Sequence, residues 1–125
     1  MKATEFKQLT EAEKEQYAQR AEEIAKELNL SKVYPAVFIN PDTNDRVVCY
    51  IKEPNYMMKL VALDKAGSIG LIMAAEELRQ NCTLTEHSDA ITYGDSPACD
   101  PYKLGVCNYI VSNLVSSYVH QYKKK

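Results

Sequence analysis

The chain is expected to adopt an α+β fold: one β-hairpin packed with about four helices, helix-dominated. Three observations point there. Residues 33–39 and 46–51 are two runs rich in β-branched and aromatic residues, separated by six residues of turn chemistry. Several other segments repeat apolar residues at spacings of three and four, the period of an amphipathic helix. With 125 residues, 46% apolar and 26% charged, the chain has the length and composition of one globular domain. A chain of that size buries roughly two-thirds of its unfolded surface, enough to fold without disulfides or a metal.

The first helix is expected from Thr10-Glu11-Ala12-Glu13, a capping box in which the threonine hydroxyl and the glutamate each satisfy an orphan N–H. Phe6 and Leu9 lie just upstream, placed to fix how the chain runs into the helix. Tyr17, Ala21, Ile24 and Leu28 then form one narrow stripe between Glu, Gln, Lys and Arg. Such a stripe either packs a helix on the outside of its own domain or forms one seam of a coiled-coil contact. Residues 1–30 are accordingly read as an N-terminal amphipathic appendage and 31–125 as a single α+β core.

In the hairpin, Pro35 cannot donate to a ladder, so the first strand is an edge there or begins after it. Two strands alone are marginal, and the ribbon must lie on helices or gain strands from a partner. Pro54 is expected at the first position of a second helix, in which Tyr56, Leu60 and Leu63 share a face flanked by Met57, Met58 and Val61. Gly67 reads as its stop and Ser68 as the cap of a third helix, with Leu71, Ala75, Leu78 and Cys82 facing one way and Ile69 and Met73 elsewhere. Residues 83–99 are polar and irregular, apart from a short turn near Ser88–Tyr93. Asp100 as cap and Pro101 as first residue open a last helix to about Tyr122. Its wide apolar face (Leu104, Cys107, Ile110, Val111, Leu114, Val115, Tyr118) is the strongest core candidate.

Charge and chemistry exclude more than they assign. Net charge is −2 and the sequence pI about 5.7, so bulk charge favours neither nucleic acid nor an anionic membrane as partner. Apolar stretches are too short for a spanning helix, and residues 1–16 carry no apolar signal-peptide region, so neither a membrane segment nor secretion is expected. Cys49, Cys82, Cys99 and Cys107 show no paired ligand spacing and are expected as reduced, core-filling thiols, with no metal and no cofactor. The sequon Asn81-Cys82-Thr83 is read as chance. A Cys82–His87 dyad lacks an orienting third group, and Gly67-Ser68-Ile69-Gly70 lacks the spacing and the Lys-Ser/Thr pair of a phosphate loop. Asp89, Asp95 and Asp100 do not follow calcium-loop spacing, and the glutamate runs are solvated helix faces.

Interaction features are better represented. Nine tyrosines against two phenylalanines and no tryptophan is an aromatic set suited to half-exposed surfaces. The candidate protein-binding residues are Tyr17, Ile24 and Leu28 on the first stripe. On the last helix they are Tyr109, Ser112, Ser116 and His120, away from the apolar face. The C-terminal Lys123-Lys124-Lys125 reads as a solvated helix end matched to the helix dipole.

Two runs carry a family resemblance. Val47-Val48-Cys49-Tyr50-Ile51-Lys52-Glu53-Pro54 is a strand ending in Glu-Pro before an amphipathic helix. Ala74-Ala75-Glu76-Glu77-Leu78-Arg79-Gln80-Asn81-Cys82 is a helix ending in Asn-Cys. Followed by a short acidic loop and a last helix, the order resembles small tailed-bacteriophage morphogenesis proteins of the tail-assembly-chaperone-like kind, over about residues 33–125. The loop Thr83–Asp89 departs from the Gly-Asp-Glu type of turn expected there. The resemblance implies no enzyme activity. It implies a protein that binds tail or tape-measure subunits in the host cytoplasm during assembly, with phage structural proteins as partners and self-association as a further state. The alternatives are a permanent virion subunit (tail, head-completion or capsid-accessory) and a small cytosolic adaptor or enzyme using Cys82 or Cys107.

Overall fold

A computed structural model describes residues 8–123. Phe6, Lys124 and Lys125, on which two of the sequence readings fall, lie outside them. The elements run α1 (Glu11–Glu27), β1 (Val33–Ile39), β2 (Arg46–Lys52), α2 (Tyr56–Ser68), α3 (Leu71–Cys82), α4 (Asp100–Ile110) and α5 (Ser116–Lys123). Short 3-10 turns at Ala90–Thr92 and Pro97–Cys99 lead into α4, and a π-helical turn at Val111–Val115 joins α4 to α5. The fold is α+β and helix-dominated, with one antiparallel hairpin.

The capping box forms as the sequence predicts. Glu13 N–H donates to Thr10 Oγ1 at 3.0 Å, and Thr10 N–H donates to Glu13 Oε1 at 2.9 Å. The helix ends where Asn29 turns into the left-handed region at φ 57°, a conformation asparagine tolerates well. Leu30 N–H then reaches back to Ala25 O at 2.8 Å.

β1 and β2 pair from Val33↔Lys52 to Ile39↔Arg46. Asn40 Oδ1 closes the turn by accepting the N–H of Asp42 and of Thr43. Period-two alternation gives the hairpin two apolar faces. One holds Val33 and Tyr50, packed with Ala21, Ile24 and Ala25 of α1. The other holds Ala36, Cys49 and Ile51, packed with α2, α3, α4 and the π turn. The hairpin is therefore the middle of three layers, and α1, read as an appendage, is the outer one. Gly105 lets α4 lie close on β1, since a Cβ there would come within 2.9 Å of the Phe38 ring.

The two hairpin edges are treated differently. Asn40 N–H bonds Asp45 O and Glu53 N–H bonds Lys32 O, which by alternation turns Pro35 outward, where its missing N–H costs no ladder bond. β1 is thus an edge strand that runs through its proline. On the outer side of β2 the polar segment 83–89 stands in for a third strand. Leu84 N–H donates to Tyr50 O and Asp89 N–H to Val48 O, while Ser88 Oγ accepts from Tyr50 N–H and Asp89 Oδ2 from Val48 N–H, all at 2.8–2.9 Å.

Three helix boundaries differ from the sequence reading. α2 starts at Tyr56 rather than Pro54: the side chain of Asn55 caps it by accepting from Met58 N–H, and Pro54 is buried ahead of the helix. α2 runs through Gly67 to Ser68, whose hydroxyl bonds back to Asp64 O rather than capping α3. The break falls instead at Gly70, with φ 121°, where an L side chain would be strained. Asp100 is the first residue of α4 rather than its cap, and Pro101 the second.

The last helix is one rod interrupted by the π turn, which keeps Leu114 and Val115 buried with Ile110. Widening a turn by one residue rotates the remainder of the rod by about 100°. Beyond the turn, Tyr118 and Val119 pack against the core at the far end. Leu104, expected on the core face, is 61% exposed, and its place is taken by the fully buried Val106.

Candidate protein-docking surface

The sequence-derived contact residues scatter. Ile24 is a correction: it is fully buried, the centre of the α1 layer, and touches no solvent. The apolar stripe of α1 was open to two uses, and packing on its own domain is the one realised. Tyr17 is half-buried against that same cluster, while Leu28 lies exposed at the end of α1. Tyr109 is also half-buried, packed on the main core, and burial pushes its hydroxyl pKa up. Tyr17 and Tyr109 do come together, lining one groove of about 280 Å³ with Leu9, Lys14, Pro35 and Val37 beside the open edge of β1. Ser112, Ser116 and His120 are exposed on the outer side of the last helix and join no groove found among the described residues.

The apolar surface lies elsewhere. Ten large apolar residues are exposed among the described residues, and eight of them fall between 56 and 73: Tyr56, Met57, Leu60, Val61, Ile69, Leu71, Ile72 and Met73. Local geometry explains why. α2 buries only Ala62 fully, with Met58 and Ala66 packed beside it, which is one narrow stripe at positions i, i+4 and i+8. Tyr56, Met57, Leu60 and Val61 lie on the opposite side of the helix. α3 turns Ala74, Ala75, Leu78 and Cys82 inward, so Ile72 and Met73 face out, while Leu71, on the same line as the buried residues, stands exposed at the start of the helix, beyond the end of the core. Leu71, placed with the core residues of this helix by spacing, is therefore a surface residue.

These eight side chains, each 37–72% exposed, are gathered on one helical hairpin rather than scattered singly, the pattern that marks an interaction site. Two hollows lie beside these residues. A groove of about 770 Å³ is lined by Leu60, Leu63, Asp64, Ala66, Leu71 and Val119, among others. A smaller one of about 140 Å³ lies between Met57, Met58, Val61 and Leu78, with Glu77 and Asn81 at its rim. The sequence signal was present but unused: residues 56–63 are apolar on nearly every side of the helix, more than one core face can absorb.

Around this surface the charges are mostly matched. Lys59 pairs with Glu53, and Lys65 with Glu77 across the α2–α3 hairpin. Arg79, buried, makes a bidentate pair with Glu76 at 2.7 Å. Arg79 holds the Glu76 carboxyl down at about 2, against the opposing effect of burial.

The cysteines are poorly placed for nucleophilic work. Burial pushes the Cys107 thiol up to about 12, reinforced by the Glu76 carboxylate that accepts its hydrogen bond at 3.2 Å. Burial likewise raises Cys82 to about 11 and raises Cys49. A thiolate is the reactive form, and these surroundings disfavour it. Comparison with protein-family models, with curated proteins and with solved structures finds no match to this chain.

Proposed function

We propose that this is a non-enzymatic assembly protein that binds other polypeptides through the outer face of α2 and the first turn of α3. One observation carries the reading: eight large apolar side chains are gathered on one helical hairpin and left in water. Leaving that much apolar surface solvated is unfavourable unless something covers it, since each square ångström contributes about 25 cal/mol when buried. Met57 and Met73 suit such a surface, because unbranched methionine repacks against varied partners.

The specific role is that of a tail-assembly-chaperone-like protein, holding tail or tape-measure subunits during virion morphogenesis in the host cytoplasm. It rests on the resemblance carried by residues 47–54 and 74–82. These residues frame the docking hairpin: the first run leads into α2 and the second is most of α3. The raised thiol pKa values of Cys82 and Cys107 favour this reading over a cysteine-dependent enzyme.

The test is co-expression with candidate phage tail-tube and tape-measure subunits. A subunit that stays soluble and co-purifies with the parent, but not with Leu60→Glu, supports the role. Purified particles then separate the alternatives: a chaperone is missing from them, whereas a virion subunit is present at fixed copy number. Absence of any co-purifying subunit, or retention by Leu60→Glu, overturns the reading.

A further inference from the structure

The occupant of the α2–α3 surface can be specified further, on the reading that this surface docks a polypeptide. Its shape restricts the partner's secondary structure. α2 spends its backbone groups within its own helix and caps its start with Asn55, and the free N–H groups at the start of α3 point along the helix axis without forming a strand edge, so the surface offers side chains and no ladder for an extended segment. A helix, which satisfies its own backbone, can lie on it. The run from Tyr56 to Ser68 is about 20 Å long by helical rise, so it accommodates roughly four turns of a partner helix.

Charge restricts the partner's sequence. Asp64 lies on the outer face of α2, between the apolar group Tyr56, Met57, Leu60, Val61 and the group Ile69, Leu71, Ile72, Met73, and it lines the larger groove. The nearby cations Lys59, Lys65 and Arg79 are committed to Glu53, Glu77 and Glu76. Asp64 itself makes no ion pair among the described residues. A second copy of this chain is a poor occupant for that reason. A two-fold pairing centred on the α2–α3 hairpin would bring the two Asp64 carboxylates close together in an apolar interface, where like charges are disfavoured.

We propose that this surface takes an amphipathic helix of a different polypeptide, whose apolar stripe carries one lysine or arginine that pairs with Asp64. The apolar side chains at i, i+3, i+4 and i+7 of that helix fill the groove lined by Leu60 and Leu71, and its cation pairs with the Asp64 carboxylate at the side of that groove.

A displayed library of helical peptides of about four turns, selected on the full chain, tests this. Peptides enriched on the parent are expected to combine an apolar stripe with a basic residue inside it. They should be lost on Leu60→Glu and weakened about tenfold by Asp64→Lys, the effect of losing a charge-assisted hydrogen bond. Selection on Asp64→Lys is expected to favour an acidic residue at the same position. Peptides lost on Leu60→Glu but indifferent to Asp64→Lys overturn the charge pairing and leave the docking surface standing. Peptides that still bind Leu60→Glu, or an empty selection, overturn both the proposal and the reading beneath it. A parent of twice 14.1 kDa by light scattering, halved in Leu60→Glu, overturns it in favour of a second copy.

Discussion

α1 and α2 carry apolar residues at the same helical spacing and use them in opposite ways. The stripe of α1 points inward, with Ile24 sealed between Ala21, Ala25, Val33 and Tyr50. The richest apolar face of α2 points outward, and the helix is held to the core by Ala62, Met58 and Ala66. What separates them is supply. The outer side of the hairpin has one helix, α1, with Leu30 and Leu84 at its margins, to cover it, so most of the α1 stripe is used there. The inner side is shared by α2, α3, α4 and the π turn, whose combined apolar surface exceeds what Ala36, Cys49 and Ile51 can bury. The surplus stays in water, on α2 and at the tip of the α2–α3 hairpin.

Substitutions that separate the two faces sharpen this contrast. The largest effect belongs to Ile24→Ala, which leaves a cavity in the α1 layer and is expected to cost about 2–5 kcal/mol in denaturant unfolding. Partner binding by the folded fraction should be unchanged, and a binding loss would mean that α1 is part of the interface.

Next is the Glu76–Arg79 pair on the inner side of α3. Its carboxyl is held below its unfolded value, so its stabilising contribution is complete above about pH 4.5 and is lost as pH falls towards about 2. Glu76→Gln should cost roughly 1.5–3 kcal/mol at neutral pH by weakening the bidentate pair to Arg79, and it should flatten that acid limb. An unchanged acid limb in an unfolding series from pH 6 to 2 would remove the pair from the account.

Thr10→Ala removes the side-chain half of the α1 cap and is expected to cost about 1 kcal/mol, read as a shift in the urea midpoint. Smallest is Leu28→Ser, at the exposed end of α1. It should shift stability by under about 0.5 kcal/mol and leave binding intact, because this residue lies in neither apolar cluster.

Much of the fold was legible because its signals are local. The Thr10 capping box, the two strands and the Asn40–Asp45 turn arise from side-chain chemistry within a few residues, and they appear where that chemistry places them. Errors came where a local rule met a tertiary one. Gly67 is an ordinary helix stop by composition, but the chain turns at Gly70, where the positive φ is needed. Residues 83–89 read as an irregular loop because side chains of Ser88 and Asp89, rather than a strand pattern, complete the edge of β2.

The docking surface was the least legible. Periodicity shows that Tyr56, Leu60 and Leu63 share a face, but not which way the face points, and only the number of competing helices decides that. The same ambiguity put Ile24 among the contact residues, while Leu71 and Leu104 were placed in the core by a spacing that does not show where along a helix the core ends.

The double variant Met57→Glu/Leu60→Glu tests the central claim most directly. Its denaturant unfolding should lie within about 1 kcal/mol of the parent, as expected for substitutions on an exposed face, while co-purification of the bound subunit is lost. A loss of several kcal/mol in stability would show that these residues belong to a core, and would contradict the account.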